Sequence, residues 1–177
     1  MTAGFVLLAL VALQRMAELL WARANTKRLL AEGGYEAGRG HYPFLVGLHG
    51  TWLLSLATAV AVAPPLPLSL PALVAFLALQ PLRLWVILSL GRRWTTRIII
   101  KPEAPLSRAG PYRFLRHPNY LIVAAEIALL PLVFGQWPIA LGFSVANAGL
   151  LAWRVAVEDR ALASCRALTP RLRSRCE

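Results

Sequence analysis

Five apolar runs, at roughly 4–21, 44–63, 68–90, 119–134 and 137–157, decide what this chain can become. Each is near the ~20 residues a helix needs to cross the hydrocarbon core, allowing for tilt. A segment in lipid must satisfy its own backbone hydrogen bonds, so helices are the expected form. The runs take up most of the 177 residues and leave short connections and a tail, with no room for a separate soluble domain. Hydrophobic residues make up 58% of the chain and charged residues 15%, against ~25% charged in a typical soluble domain. A soluble fold of this size cannot hide that much apolar surface, and a disordered chain would not carry it. The expectation is one all-α integral membrane domain over 1–177.

The charge is lopsided, with 19 Lys and Arg against 8 Asp and Glu and a net +11. That balance alone suggests nucleic acid or an anionic membrane surface. Placement separates the two. Segment 22–43 holds Arg23, Lys27, Arg28 and Arg39. Segment 91–118 holds Arg92, Arg93, Arg97, Lys101, Arg108, Arg113 and Arg116, and the tail after 157 holds five more arginines. The connections near 64–67 and 135–136, and residues 1–3, hold none. The positive-inside rule then puts the N-terminus outside, and both basic segments and the C-terminus in the cytoplasm. Five spans fit this alternation; four or six do not. The basic charge marks a membrane side, and no nucleic-acid partner is expected.

The first run reads as a retained helix. A signal peptide carries its positive charges before the apolar region, whereas here they follow it and Arg15 and Glu18 interrupt it. Cys165 and Cys176 fall on the reducing side as free thiols, and two cysteines exclude a disulfide scaffold. Cys176 also lacks the three following residues of a prenylation box. Pro64-Pro65-Leu66-Pro67 and Gly135-Gln136-Trp137-Pro138 are tight outer connections, while Gly33-Gly34 and Gly38-Arg39-Gly40 loosen the first basic loop. No internal repeat supports a transporter of inverted-repeat design.

Arg15, Glu18, Arg83, Glu126 and Arg154 sit within or at the edge of spans. Such residues are costly in lipid and face a bundle interior or a wet cavity. Arg15 and Glu18 are three apart, share a helix face and can pair. Arg83 and Glu126, on different spans, can neutralise each other, with structural and site-lining roles both open. Gln14, His49, Gln80 and Asn147 read as interhelical glue. His41, His49 and His117 lie on three segments without ligand spacing, so no metal site is expected. No G-x-G-x-x-G after a strand, Walker loop, H-E-x-x-H or C-x-x-C is present.

Segment 91–120 mixes its cations with Trp94, Tyr112, Phe114 and Tyr120. A basic loop held at anionic headgroups would look like this, as would a surface for single-stranded nucleic acid. Neither reading explains Arg116-His117-Pro118-Asn119-Tyr120. Pro118 fixes a helix entry at its first turn and biases His117 away from helical dihedrals. The result is a rigid corner with free helix N–H groups, which attract carboxylates and phosphates. The last span ends in Trp153-Arg154-Val155-Ala156-Val157-Glu158-Asp159. Arg154 and Glu158 are four apart and share a face, so the plain structural alternative is an i,i+4 ion pair at a snorkelling helix end.

Together, Gly110-Pro111-Tyr112, Arg116-His117-Pro118-Asn119-Tyr120, and Arg154 with Glu158-Asp159 resemble the isoprenylcysteine carboxyl methyltransferase family, small integral-membrane enzymes that use S-adenosylmethionine. The family pattern is G-x-Y, four residues, then H-P-x-Y, and about 30 residues later R-x-x-x-E with a second acid. The resemblance runs from about 80 to 165. It implies a helical bundle with a cytosol-facing cofactor pocket. In that pocket His117, Pro118, Asn119, Tyr120, Tyr112 and the stretch Ala104-Pro105-Leu106-Ser107 line the cofactor. It also implies that Glu158 is the acid contacting the cofactor and that Arg154 faces the reacting group of the substrate. Ile122 stands where the family often has Gly, and 104–107 departs from the family in residue type.

The implied chemistry is methyl transfer from the sulfonium of S-adenosylmethionine to an oxygen nucleophile, leaving S-adenosylhomocysteine. A carboxylate, acidic enol or phenol needs mainly positioning and exclusion of water. Arg154 would hold that oxygen as an anion. A lipophilic substrate would arrive from the bilayer and the cofactor from the cytosol. With 17 Arg to 2 Lys and short loops, the chain looks bacterial and placed in the plasma membrane. That favours an alkylpyrone or alkylresorcinol lipid over a prenylcysteine. The alternatives are an NADPH-dependent membrane reductase related to sterol reductases, which are larger, and a non-enzymatic small membrane protein.

Overall fold

A computed structural model describes residues 2–62, 67–101 and 109–173, with side chains from Ala3 to Ala163 within those stretches. Each apolar run forms a helix: α1 (Thr2–Ala31), α2 (Tyr42–Val62), α3 (Leu70–Leu90), α4 (Pro118–Val133) and α5 (Trp137–Arg173). Pro71 starts α3 in its first turn and Gly91 ends it. The turn between α4 and α5 forms where Pro131, lacking an N–H, offers its carbonyl to the amides of Phe134 and Gln136. Pro64, Pro65, Leu66 and Cys176 lie outside the described residues, as does the side chain of Cys165.

Four helices, α1, α2, α3 and α5, are long and apolar enough to cross a membrane. The remaining helix, α4, has 16 residues. At ~1.5 Å per residue it reaches ~24 Å, short of the ~30 Å hydrocarbon core. Where five spans are expected, there are four helices of full length and one shorter apolar helix packed among them. It lies against α3 and α5, and α2 leans on α5 and α1. Leu10, Leu13, Leu54, Val74, Leu88 and Val145 are exposed on the outside of the bundle, which suits a lipid-facing surface.

Two apolar clusters hold the bundle. Leu8, Val11, Trp52, Leu56, Phe76, Ile127, Leu130 and Val133 join the first four helices. Ala22, Val86, Ile87, Trp94 and Ile122 form the second, beside the basic segments. Between them the intramembrane charges close into one network. Arg15 reaches Glu18 at 3.0 Å and Glu126 at 2.8 Å. Arg83 donates to Glu18 at 2.7 Å and to Glu126 at 2.8 Å. Gln14 and Gln80 bond to each other and to Glu18 and Glu126 respectively. The two expected pairs thus merge into a ring of alternating sign with no net charge, tying α1 to α3 and α4. Gln14 and Gln80 are glue, as expected. His49 instead bonds the Leu45 carbonyl of its own helix at 2.8 Å.

The fold is all-helical apart from one short ribbon. β1 (Tyr35–Ala37) pairs antiparallel with β2 (Ile98–Ile100), Glu36 opposite Ile99. Three consecutive β-branched isoleucines favour extended backbone, and the pairing satisfies amides that the first basic loop leaves free. Arg97 clasps Glu36 at 2.9 Å, and Lys101 reaches Glu32 at 2.9 Å. Lys101 holds the Glu32 carboxyl below the usual carboxylate range. The ribbon joins the two basic segments at one end of the bundle and sets them against α5.

Candidate functional site

The site forms where the start of α4 meets the basic end of α5. His117 caps α4 at φ −131° and ψ 58°, outside the helical region, as the following Pro118 requires. Pro118 is buried. The imidazole of His117 stacks on the Tyr120 ring, centroids 5.0 Å apart and planes 3° from parallel. Its Nδ1 lies 3.6 Å from Glu158 Oε2. A proton on Nδ1 suits that neighbour and leaves Nε2 an acceptor. Nε2 is buried and bonds nothing among the described residues, and the same holds for Asn119 Oδ1.

The Tyr120 hydroxyl connects the two key residues of α5. It donates to Glu158 Oε2 at 2.6 Å and accepts from Arg154 Nε at 2.7 Å. The guanidinium also lies 5.3 Å from the Tyr120 ring centroid. The i,i+4 ion pair available from spacing is not what forms: a phenol stands between cation and anion. Arg154 is buried and has five N–H donors. Among the described residues its acceptors are the Tyr120 hydroxyl and, at 3.5 Å, Nε2 of His41. Donors are left over for an anionic oxygen.

Tyr112 sits in a 3-10 turn, Gly110–Arg113, packed on the cluster that contains Ala22 and Trp94. Burial pushes its phenol up, and the Glu158 carboxylate adds to this, so Tyr112 stays a neutral donor at physiological pH. Gly110 permits the turn. It sits at φ 53°, and a Cβ there would meet Ser89 Oγ at 2.1 Å and Trp85 Nε1 at 3.1 Å. Arg116 pairs with Asp159 at 2.8 Å and ties the approach to α4 onto α5.

The structure therefore brings together His117, Tyr120, Arg154 and Glu158, with Pro118 and Asn119 in the same turn and Tyr112 within electrostatic reach of Glu158. Ala104, Pro105, Leu106 and Ser107 lie outside the described residues. Sequence reasoning missed His41, considered only as a metal ligand. It is 2% exposed, lies against Trp153 and touches Arg154. Its short spacing from Glu36 and Gly38 was the available signal, legible only once the β-ribbon is known.

The residues fit the cofactor that the motif implies. S-adenosylmethionine carries cationic sulfonium and ammonium groups, which suit the Glu158 carboxylate. Its adenine and carboxylate offer polar partners for buried groups such as His117 Nε2, Asn119 Oδ1 and the helix start.

Comparison with known proteins gives the same direction. The family model described as isoprenylcysteine carboxyl methyltransferase (ICMT) family matches residues 72–164. Among curated proteins the chain is similar to one from Bacillus subtilis (strain 168), named "Uncharacterized protein YpbQ". The two are 37% identical over 160 residues, covering 89% of this chain and 95% of that one. No solved structure matches.

Proposed function

The chain belongs to the isoprenylcysteine carboxyl methyltransferase family, made of S-adenosylmethionine-dependent methyltransferases, and we propose that it methylates an acidic oxygen on a lipophilic acceptor. The observation that carries this is the Arg154–Tyr120–Glu158 relay beside His117. Glu158, His117, Asn119, Tyr120 and Tyr112 would hold the cofactor, Pro118 sets the turn they share, and residues 104–107 would add backbone contacts. When bound, the cofactor supplies an electrophilic methyl on a sulfonium. Arg154 holds the acceptor oxygen as an anion; a nearby cation stabilises the charged form. Tyr120 fixes the distance between the cation that faces the acceptor and the anion that faces the cofactor. Such positioning in a water-poor site is enough for an oxygen that is already acidic.

The acceptor is a carboxylate or an acidic enol or phenol, with an alkylpyrone or alkylresorcinol lipid favoured over a prenylcysteine. It enters from the bilayer. The N-terminus lies outside the plasma membrane, and the basic segments and the site face the cytoplasm, as the charge asymmetry supports.

The test is methyl transfer from labelled S-adenosylmethionine into a lipid extract, with the product identified by mass. Glu158→Gln should weaken S-adenosylhomocysteine binding by about tenfold or more, because a charged partner is lost. Arg154→Ala should lose turnover with cofactor binding mostly kept. Thermal stabilisation by NADPH and none by S-adenosylhomocysteine would overturn the reading. Parental cofactor binding and turnover in both variants would defeat the site assignment.

A further inference from the structure

We infer that His41, which lies outside the family-matched stretch 72–164, is a positioning residue for Arg154: a neutral imidazole whose Nε2 lone pair aims the guanidinium at the acceptor. The inference rests on the methyl-transfer reading of the site.

Arg154 has only N–H donors, so the ring nitrogen 3.5 Å from its Nη1 must be the one with a free lone pair. That nitrogen is Nε2, which places the remaining proton of a neutral ring on Nδ1. Nδ1 is buried beside Gly38, where an added Cβ would stand 3.1 Å from it, and bonds nothing among the described residues. The proton assignment follows from the network.

The local fold is built to hold the ring there. Gly38 adopts φ 62° and lies so close to α5 that a Cβ would meet Val157 Cγ1 at 2.2 Å. This close approach brings the 3-10 turn Arg39–His41 down onto α5. The ring then packs edge-on against Trp153, centroids 6.1 Å apart. With Tyr120 on one side and His41 on the other, Arg154 has two acceptors from two elements and spare donors between them. A guanidinium on a flexible stem needs such fixing, since a small misplacement of a reacting group costs large factors in rate.

Protonation of His41 would remove the lone pair and set a second cation beside Arg154. The other charged groups around the ring are Glu158 on α5 and Glu36 on β1. Glu36 is engaged by Arg97 and Arg39, and Glu158 by Tyr120. Turnover should therefore fall on the acid side as His41 takes up its proton.

Two measurements test this. The chain has three histidines, so 15N spectra of histidine-labelled protein in micelles can be assigned by the loss of one set in His41→Gln. At about pH 7.5 the expected His41 is neutral with its proton on Nδ1. A protonated ring, or a proton on Nε2, overturns the inference whether or not any acceptor is known. In turnover, His41→Gln keeps an acceptor near the Nε2 position and should stay within about threefold of the parent. His41→Ala should lose about tenfold or more in kcat, with S-adenosylhomocysteine affinity unchanged. The acid limb of the parent should vanish in His41→Gln. Parental kcat in His41→Ala, when Arg154→Ala is inactive, sinks the positioning role and leaves the methyltransferase reading intact. An active Arg154→Ala removes the assigned role of Arg154 and the positioning role of His41 with it.

Discussion

At the scale of single residues, Tyr120 does what spacing alone assigned to a salt bridge. Its hydroxyl is at once donor to Glu158 and acceptor from Arg154, so removing one oxygen takes a partner from two charged groups. Tyr120→Phe should lower kcat by about tenfold or more, and should also weaken S-adenosylhomocysteine binding, because Glu158 loses the bond that orients it. The ring remains to stack on His117, so stability should fall only by the cost of the unsatisfied partners, about 1–3 kcal/mol. Parallel measurement of turnover, ligand affinity and thermal unfolding checks the three together. Unchanged turnover would show that the hydroxyl is a bystander. The motif made Tyr120, Arg154 and Glu158 legible as candidate site residues, yet their mutual order was hidden. An i,i+4 spacing states which side chains can meet, and a third side chain from another helix decides whether they do. His41 was hidden for a related reason: its role depends on a contact from residue 41 to residue 154, and local pattern carries no information at that range.

At the scale of elements, apolar runs located all five helices but misjudged where two of them stop. Hydropathy marks where lipid ends, whereas helices end where the backbone is broken. After residue 21 the chain continues Ala-Arg-Ala-Asn-Thr-Lys-Arg-Leu-Leu-Ala, mostly good helix formers, and α1 runs on to Ala31 before Gly33 and Gly34. In the same way α5 continues past residue 157 to Arg173, with no Gly or Pro before Pro170, which falls in its last turn. The β-ribbon was missed because each strand has three residues, too short for periodicity to register. The turn carrying Tyr112 offers an element-scale prediction. Gly110→Ala forces a Cβ into the left-handed region, at about 1–2 kcal/mol, and into Ser89 Oγ. Thermal unfolding should shift down by more than the conformational cost alone. Adding Ser89→Ala should restore only part of the loss, since Ser89 Cβ would still lie 3.0 Å from the new atom. Complete recovery in the double variant would show that the positive φ costs nothing here.

At the scale of the molecule, the open question is what holds α1 onto the rest. Lipid is as apolar as a leucine side chain, so helices in a bilayer gain little from apolar contact alone. α1 does contribute Leu8, Val11 and Ala22 to the two clusters, but its polar link to α3 and α4 is the four-charge ring. Within that ring Arg83 and Glu126 are the most enclosed, at 6% and 3% side-chain exposure. Removing either leaves an odd charge in a low-dielectric interior. Arg83→Met or Glu126→Leu alone should therefore destabilise the bundle by about 3–5 kcal/mol. Removing both leaves Arg15 and Glu18 paired at 3.0 Å on one face of α1, with no unbalanced charge. The double variant should be more stable than either single variant, a departure from additivity expected for groups sharing one network. Thermal unfolding of the four proteins in the same detergent checks it. Losses that simply add would mean that the charges act independently and that the ring is not the clamp. Turnover separates structure from function in the same set. Arg83 and Glu126 bond into the ring, while the relay is made by Tyr120, Arg154 and Glu158. The double variant should therefore recover methyl transfer along with stability. A stable double variant without turnover would move Glu126 from the scaffold into the acceptor pocket.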